Sequence, residues 1–529
     1  MIEFIVKQIM SGFLGKLFQP ISKKIDATTM YRTVTTALLF LSFVSVSFGF
    51  LGFVPYTGFE QIISLLVAVG VALAFNILFS KLLKIHVNNE SALITALIIF
   101  FLVLPAQIAN LSELWAVASI VFLAVASKFL LVWKRQHIFN PAAFGLVLAA
   151  IIYESFPNLG FYLESSWWIG QPALFIPLVI AGSLVVYKIR RWALVLAFIT
   201  TAFITFTIEE WRFGSDLISI TPDFWFSGPT IFLAMFMLTE PFTTPPTAKL
   251  QVMYGILVGF LSETSIFSSL IKLTPELSLL IGNLVFYYAS LRQKLFLALV
   301  EKTEIAQGTF EFVFTKPNQM LFKAGQYMEW MLPHKNSDNR GVRRYFTIAS
   351  APQDSYLRIA VRVGPNISSY KTQLKAMSMG DTIIGSQLAG DFVLPDNPEI
   401  KIAMVAGGIG ITPFISQIKA MSIDKNNNPD TVLFYCNNTV AEVAYHKDLK
   451  EAEKKLPLKL VNILAKEELA GYEMGFLTEV IIKKYTPDYL ERVWYISGPP
   501  MMVDAYTKLL VGLGVKTSQI VRDFFPGLA

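Results

Sequence analysis

Apolar positions are distributed unevenly along this chain, and the unevenness sets its architecture. Runs long enough to cross a bilayer, or nearly so, occur at roughly 33–55, 60–80, 91–105, 113–132, 141–155, 172–187, 192–208, 228–239, 250–262 and 277–291. They predict about ten membrane-spanning helices. The shorter runs are tolerable where backbone is buried in protein or lines a cavity. After residue 291 the pattern changes to short alternating runs, at 309–314, 326–331, 345–348, 357–363 and 382–384, which predict a small antiparallel β-barrel over 297–395. From Lys401 onward, apolar strands such as 431–435 and 493–496 alternate with helical stretches, and residues 396–529 read as a parallel α/β domain. The first thirty residues carry Lys7, Lys16, Lys23 and Lys24 beside Phe4, Ile5, Phe13 and Leu17, the pattern of an amphipathic helix lying on a membrane surface rather than a cleavable signal.

Composition agrees with this division. Of 529 residues 54% are hydrophobic and only 16% charged, too apolar an average for a soluble enzyme. Charge is sparse from about 33 to 291, so a membrane domain over 31–292 ends near Ser290–Lys294. Basic residues gather in alternate loops: Lys23, Lys24 and Arg32, then Lys81 and Lys84, Lys134 and Arg135, Lys188, Arg190 and Arg191, Lys249, and Arg292 and Lys294. By the positive-inside rule both termini are cytoplasmic, as an even number of spans requires. A net charge of +6 used in this way does not suggest nucleic-acid binding. The single cysteine, Cys436, excludes an intrachain disulfide and any four-cysteine cluster, and no metal site is expected. Electrons, if carried, travel on organic cofactors.

The strand-like run 400–404 leads into Val405-Ala406-Gly407-Gly408-Ile409-Gly410-Ile411-Thr412-Pro413. A buried parallel strand turning through glycines into a helix lets backbone N–H groups approach a pyrophosphate at the positive end of that helix. Pro413 fits the first helical turn, where its missing N–H costs nothing. An ordinary strand-to-helix turn would show the same glycines, so Gly407, Gly408, Gly410, Thr412 and Pro413 are candidate dinucleotide contacts. Cys436-Asn437-Asn438-Thr439 follows Tyr435 with no arginine or lysine for a 2′-phosphate, which favours NADH over NADPH.

Three polar insertions interrupt the apolar runs: 90–97, with Glu90, Ser91 and Thr95; 139–145, with Asn140-Pro141; and 238–247, with Thr239, Glu240 and Thr243. Helix caps and a Pro-rich helix end account for them equally well. The alternative is that they line a flavin or quinone cavity, because polar residues inside a membrane mark pathways. His86 and His137, both near helix ends, suit interfacial positions better than a haem pair.

Taken together, residues 30–292 resemble the family that contains the D-type membrane protein of the Rnf complex and the B-type membrane protein of the sodium-translocating NADH:quinone reductase. The resemblance rests on Ser91-Ala92 with Thr95, Asn140-Pro141-Ala142 and Thr239-Glu240-Pro241 in that order. Those relatives esterify FMN to a threonine in a Ser-Gly-Ala-Thr loop; here the loop reads Leu163-Glu164-Ser165-Ser166-Trp167-Trp168-Ile169-Gly170-Gln171. The resemblance therefore implies a non-covalent flavin (FMN or riboflavin) or a quinone, with Asn140, Thr239, Glu240 and Thr243 as candidates.

Residues 297–529 are similar to the ferredoxin–NADP reductase family, which implies an FAD barrel followed by a Rossmann-like NAD(P) domain. Arg344-Tyr345-Phe346-Thr347-Ile348-Ala349-Ser350 matches its Arg-x-aromatic-Ser/Thr motif. The match implies Arg344 on the FAD pyrophosphate, Phe346 over the isoalloxazine, Thr347 near its reactive nitrogen, and Ser350 close by. Gly364 to Ser369 resembles a second pyrophosphate contact through Ser368 and Ser369, or else a serine-capped helix. Ser497-Gly498-Pro499 matches the Cys-Gly-Pro motif beside the nicotinamide, with serine for cysteine. Phe524 and Phe525 stand where relatives cover the second flavin face.

The resemblances imply a multi-pass flavoprotein oxidoreductase of a bacterial-type cell membrane. Hydride would pass from NAD(P)H to FAD, with Thr347 and Ser497 as catalytic candidates, and electrons would cross the membrane domain to a quinone, a flavin or an extracytoplasmic carrier. Other subunits are compatible with it. The alternatives are an anchored reductase of a soluble acceptor, or a redox-driven sodium or proton transporter with Glu240 and Glu90 as ligands.

Overall fold

A run of apolar residues becomes a helix only where its ends are satisfied, and the caps show this directly. The computed structural model describes residues 28–523 apart from 84–88, 108–109, 134–135, 157–164, 227, 266–272, 288–293, 319, 336, 339–340, 365–366 and 425–427, and divides between residues 293 and 294 into two units. The N-terminal surface helix, His86 and the Phe524–Phe525 pair fall outside the described residues. In the first unit Thr29 caps α1 (Met30–Leu51) by accepting from Arg32 N–H at 3.2 Å, and Gly52, at φ 73°, closes it. There follow α2 (Gly58–Leu83), α3 (Asn89–Leu102) and α4 (Leu111–Leu130), capped by Asn110. A two-rung hairpin, β1 (Val132–Trp133) and β2 (Gln136–His137), leads to α5 (Pro141–Ser155), which Asn140 caps with Pro141 in the first turn. The unit continues with α6 (Pro172–Ile189), α7 (Trp192–Arg212) and α8 (Leu217–Phe226).

After these comes α9 (Thr230–Phe232), which widens into a π-helical turn over Leu233–Met237, and then α10 (Ala248–Glu263) and α11 (Pro275–Tyr287). Among the described residues five helices, α1, α2, α4, α6 and α7, are long and apolar enough to cross a membrane by length and composition. The run expected at 228–239 is no straight span: residues 230–239 are buried throughout and pass from α-helix to π-turn. Backbone of that kind is sustained by surrounding protein. Glycine supplies close packing between α10 and α7, since a Cβ on Gly255 or Gly259 would stand 2.7 Å from Leu194 O or 2.6 Å from Phe198 O.

The second unit begins with an antiparallel sheet. Its strands are β3 (Leu295–Ala306), β4 (Thr309–Thr315), β5 (Tyr327–Met331), β6 (Arg343–Thr347), β7 (Tyr356–Arg362) and β8 (Thr382–Ala389), in the order β6-β5-β8-β3-β4-β7. Just past β6, Ala349 N–H donates to Arg358 O at 2.7 Å, which joins the two end strands and curls the sheet toward a barrel. The helix α12 (Ser369–Ala376) lies between β7 and β8 in the chain.

The parallel sheet of this unit runs β12 (Glu473–Met474), β11 (Leu458–Leu464), β10 (Thr431–Asn437), β9 (Ile402–Gly407), β13 (Val493–Ser497) and β14 (Ile520–Arg522). Strand alternation sends Met404, Leu433 and Tyr435 to one face, under α13 (Thr412–Ile423) and α14 (His446–Lys455). It sends Val405, Phe434 and Trp494 to the other, under α15 (Glu479–Tyr485) and α16 (Pro500–Gly512). The chain leaves β9 toward β10 on one side, while β13 flanks it on the other. The carboxyl ends of β9 and β13 are therefore a topological switch point, where open α/β sheets place ligands.

Candidate functional sites

At that switch point two motifs meet. After β9 the chain passes through a 3₁₀ turn, Gly408–Ile411, with Gly408 at φ 53°, and enters α13 with Pro413 in its first turn. Thr412 Oγ1 donates to Ile409 O at 3.2 Å. A Cβ on Gly410 would stand 2.5 Å from Ser497 O, and one on Gly407 would meet Met502 and, at 3.1 Å, Pro499 Cδ. So Gly407 and Gly410 pack directly on the Ser497-Gly498-Pro499 segment that ends β13. Ser497 Oγ donates to Asp523 Oδ2 at 2.8 Å. One cation at this turn was not singled out from sequence: Arg362, at the end of β7, has Nη1 3.6 Å from the Cβ position of Gly408 and donates through Nη2 to Glu442 Oε1 at 2.6 Å. Burial would raise the Glu442 carboxyl, but hydrogen bonds from Arg362 and Asn438 hold it below its usual range. In sequence Arg362 is one of two arginines on an alternating strand; Arg358, the other, pairs with Glu311 Oε2 at 2.7 Å.

The flavin candidates lie on and after β6. Arg344 is 1% exposed, donates to Gly341 O at 3.1 Å and Arg343 O at 2.6 Å, and sets its guanidinium 5.0 Å from the Tyr370 ring centre. Phe346 lies against the same ring at 6.0 Å. Thr347 Oγ1 is buried with no hydrogen-bond partner among the described residues, and a buried hydroxyl left unpaired marks a place built for another group. An orphan hydroxyl and a buried guanidinium on one strand fit the flavin the sequence implies. Ser350 is occupied differently: its Oγ accepts from Arg358 N–H at 3.2 Å and its carbonyl from Ser416 Oγ at 2.7 Å, bracing this strand against α13. Ser368 Oγ caps α12, accepting from Lys371 N–H at 3.2 Å. Ser369 N–H donates to Asp338 Oδ2 at 3.0 Å, and Asp338 N–H returns a bond to Ser369 Oγ at 2.9 Å. Gly364 follows β7, and nothing lies within 4 Å of its Cβ position.

In the membrane unit the three polar insertions converge on one cavity, lined by Ser91, Thr95, Asn140, Thr239 and Glu240 among apolar neighbours. Asn140 Nδ2 donates to Glu240 Oε2 at 2.9 Å, and Thr243 Oγ1 donates to the same oxygen at 3.3 Å. Thr239 Oγ1 donates to Met235 O at 2.9 Å, while its carbonyl accepts from Arg191 Nη1 at 3.0 Å. Residues not anticipated from sequence complete the cluster. His137 Nε2 stands 3.4 Å from Glu240 Oε1. Asn283 Oδ1 accepts from Asn140 N–H at 2.8 Å and its Nδ2 donates to Tyr254 OH at 2.6 Å. Lys128 Nζ donates to Ser91 O at 2.8 Å. His137 and Glu240 are 103 positions apart, and no local pattern could have paired them. Glu90 does not line the cavity.

Comparison with known proteins agrees with the two-part architecture. Residues 159–286 match the model of the NQR2, RnfD, RnfE family, and residues 404–508 match that of the oxidoreductase NAD-binding domain. The chain is 27% identical over 224 residues to a glycine betaine monooxygenase reductase subunit of Chromohalobacter salexigens, covering 41% of this chain and 60% of that one. It is 29% identical over 229 residues to NADH-cytochrome b5 reductase 1 of Aspergillus terreus, covering 41% and 76%. An Amycolatopsis cytochrome P450 reductase of known structure aligns over 44% of this chain and 70% of its own, at 23% identity and a TM-score of 0.40. The chain spans about 60% of the length of the monooxygenase reductase subunits it matches. It joins a membrane domain of the NQR2, RnfD, RnfE family to an oxidoreductase NAD-binding domain, as the two sequence resemblances implied.

Proposed function

We propose that this chain is a membrane-bound flavoprotein oxidoreductase: hydride passes from NAD(P)H to FAD in the unit after residue 293, and electrons continue through the membrane unit to a quinone, a second flavin or an extracytoplasmic acceptor. The observation that carries the proposal is the packing of Gly407 and Gly410 on the Ser497–Gly498 backbone, at the switch point of a sheet whose α13 is bonded to the flavin strand through Ser416 and Ser350. When bound, FAD supplies the hydride acceptor, a two-electron centre that can release electrons singly. The chain supplies the rest. Arg344 offers a buried guanidinium to a pyrophosphate, Phe346 covers a flat ring and excludes water, and Thr347 Oγ1 offers a hydrogen bond to the reacting edge. The Gly408–Ile411 turn presents N–H groups to the dinucleotide phosphates with Arg362 beside them, and Ser497, held by Asp523, borders the nicotinamide.

NADH is preferred to NADPH, because Cys436, Asn437 and Asn438, which follow Tyr435, offer no arginine or lysine to a 2′-phosphate. On this reading the shorter helices complete about ten spans, the basic loops and both termini face the cytoplasm of a bacterial-type cell, and the domains divide at about 292 and 395. The cavity around Asn140, Thr239 and Glu240 then holds a non-covalent flavin or a quinone, because roughly 30 Å of hydrocarbon is too wide to cross without a carrier. The test uses the full chain in sealed proteoliposomes with the NADH site outward. NADH should reduce a quinone in the bilayer or an impermeant acceptor trapped inside, and extraction should release FAD. If neither acceptor is reduced while external ferricyanide is, the membrane unit is only an anchor.

A further inference from the structure

The cavity in the membrane unit has one carboxylate among its described lining residues, Glu240, and that carboxylate is held by both ends. Its Oε2 accepts from Asn140 Nδ2 at 2.9 Å and Thr243 Oγ1 at 3.3 Å, which fixes the group in one orientation. Its Oε1 faces His137 Nε2 at 3.4 Å. Asn140 is fixed in turn by Asn283, whose Nδ2 donates to Tyr254. The histidine does not line the cavity; it stands behind Glu240, 17% exposed, on the hairpin between α4 and α5. Thus one oxygen is pinned by neutral donors, and the other faces an imidazole, whose two ring nitrogens let it take up a proton at one and release it from the other. A pair placed there for stability alone would be poorly served, since desolvating two charges offsets most of their attraction. Two cations bond to lining residues without lining the cavity themselves: Lys128 donates to Ser91 O and Oγ, and Arg191 donates to Thr239 O.

We infer that His137 and Glu240 form a proton relay into this cavity, serving a carbonyl-bearing redox ring whose reduction takes up protons. The inference rests on the reading that the membrane unit carries electrons. Two-electron reduction of such a ring consumes two protons and forms two new bonds to hydrogen, while NADH, through FAD, is oxidised and supplies the electron pair. A hydrocarbon interior supplies no protons. Each leaves the Glu240 carboxyl for the ring, Glu240 is reprotonated by His137, and His137 recovers its proton from water at the loop side. A quinone head group and a flavin ring share this chemistry.

The full-length chain in proteoliposomes tests it, with every rate normalised to the NADH:ferricyanide rate of the same preparation, since ferricyanide accepts electrons without protons. Two rings are followed: a short-chain benzoquinone added to the bilayer, and any flavin retained by the membrane unit, through its bleaching by NADH. E240Q should slow ring reduction about 100-fold, within the range for loss of a general acid. H137Q should slow it in the same way and regain speed when imidazole is added, a rescue that a structural defect would not show; this arm stands even if E240Q fails to fold. Slowing confined to the benzoquinone identifies a quinone site and slowing of the bleaching a flavin site, and either supports the relay. Wild-type rates in both variants overturn it, as does a loss in H137Q that imidazole leaves unchanged. A wild-type chain that reduces neither ring overturns the underlying reading, and the relay with it.

Discussion

Replacing Gly410 by alanine tests the dinucleotide site at the point where its two motifs touch. A Cβ there would stand 2.5 Å from Ser497 O, 2.6 Å from Ser497 C and 2.7 Å from Gly498 Cα. All three are backbone atoms, so no side-chain rotation relieves the contact. Real Cβ atoms come no closer than about 3.0 Å, so the turn and the end of β13 must separate by at least 3.0 − 2.5 = 0.5 Å. Overpacking of this kind costs about 1–3 kcal/mol. A misplacement of about 1 Å costs on the order of 100-fold in rate, so half of that gives about tenfold as a floor. G410A should therefore lower kcat/KM for NADH by at least about tenfold in ferricyanide assays, with FAD content at the wild-type level. Gly408 is the control: at φ 53° an alanine is strained, yet its nearest neighbour, Arg362 Nη1, is 3.6 Å away. G408A should cost about 1 kcal/mol of stability with a smaller change in kcat/KM. An unchanged kcat/KM in G410A, or a fall in kcat/KM fully accounted for by lost FAD, would refute the placement of the nicotinamide dinucleotide.

Three further outcomes follow from the same unit. Arg344→Ala removes a buried fork that satisfies two carbonyls, so it should destabilise the unit by about 2–4 kcal/mol and abolish FAD retention, measured as flavin per polypeptide; stoichiometric FAD would show that the guanidinium serves no pyrophosphate. Thr347→Val deletes a hydroxyl with no partner among the described residues, so the deflavinated protein should gain up to about 1 kcal/mol in urea unfolding, while stopped-flow hydride transfer slows; a destabilised variant with normal hydride transfer would mean the hydroxyl is structural. Burial would raise the Asp488 carboxyl, but hydrogen bonds from Arg492 and Lys401 outweigh it and bring the group to about 2. Its stabilisation is present above the unfolded value near 3.9 and is lost as pH falls through about 2. D488N should therefore lower Tm at pH 7 by the equivalent of about 1 kcal/mol at most, with the gap to wild type closing between about pH 4 and pH 2; a gap that persists at pH 2 counts against the ion pairs.

Much of the architecture is legible in the sequence because apolar run length and strand alternation are local signals. Five of the apolar runs became helices long enough to cross a membrane, and the strands at 309–315, 327–331 and 356–362 lie within a residue or two of the alternation that predicted them. The strand β3 was hidden because its first half, Leu295 to Val300, resembles one more apolar run, while its second half carries Glu301, Lys302 and Glu304 exposed on both faces. The helix α8 was missed because Pro222 interrupts it, and the π-turn at Leu233–Met237 has no signature beyond continuous burial. The glycine turn was readable because only glycine tolerates those approaches. Arg362, Asp523 and His137 were not, because each acquires its partner from more than twenty residues away.

The dinucleotide helix is tied to the flavin sheet by buried side chains. Ser416 Oγ donates to Ser350 O, Gln417 Nε2 donates to Phe392 O at 2.8 Å, and Tyr445 OH reaches back to Glu311 Oε1 at 2.8 Å. Splitting the unit near residue 395 would leave each half with exposed apolar surface and polar atoms whose partners had gone with the other piece. The heritable part is therefore the pair. A chain assembled by gene fusion can acquire or lose this reductase as one cassette, and chimaeras that exchange only its nucleotide half should be recovered as insoluble protein unless the incoming half brings side-chain donors at 416 and 417 for the two backbone carbonyls and a hydroxyl at 445 for Glu311.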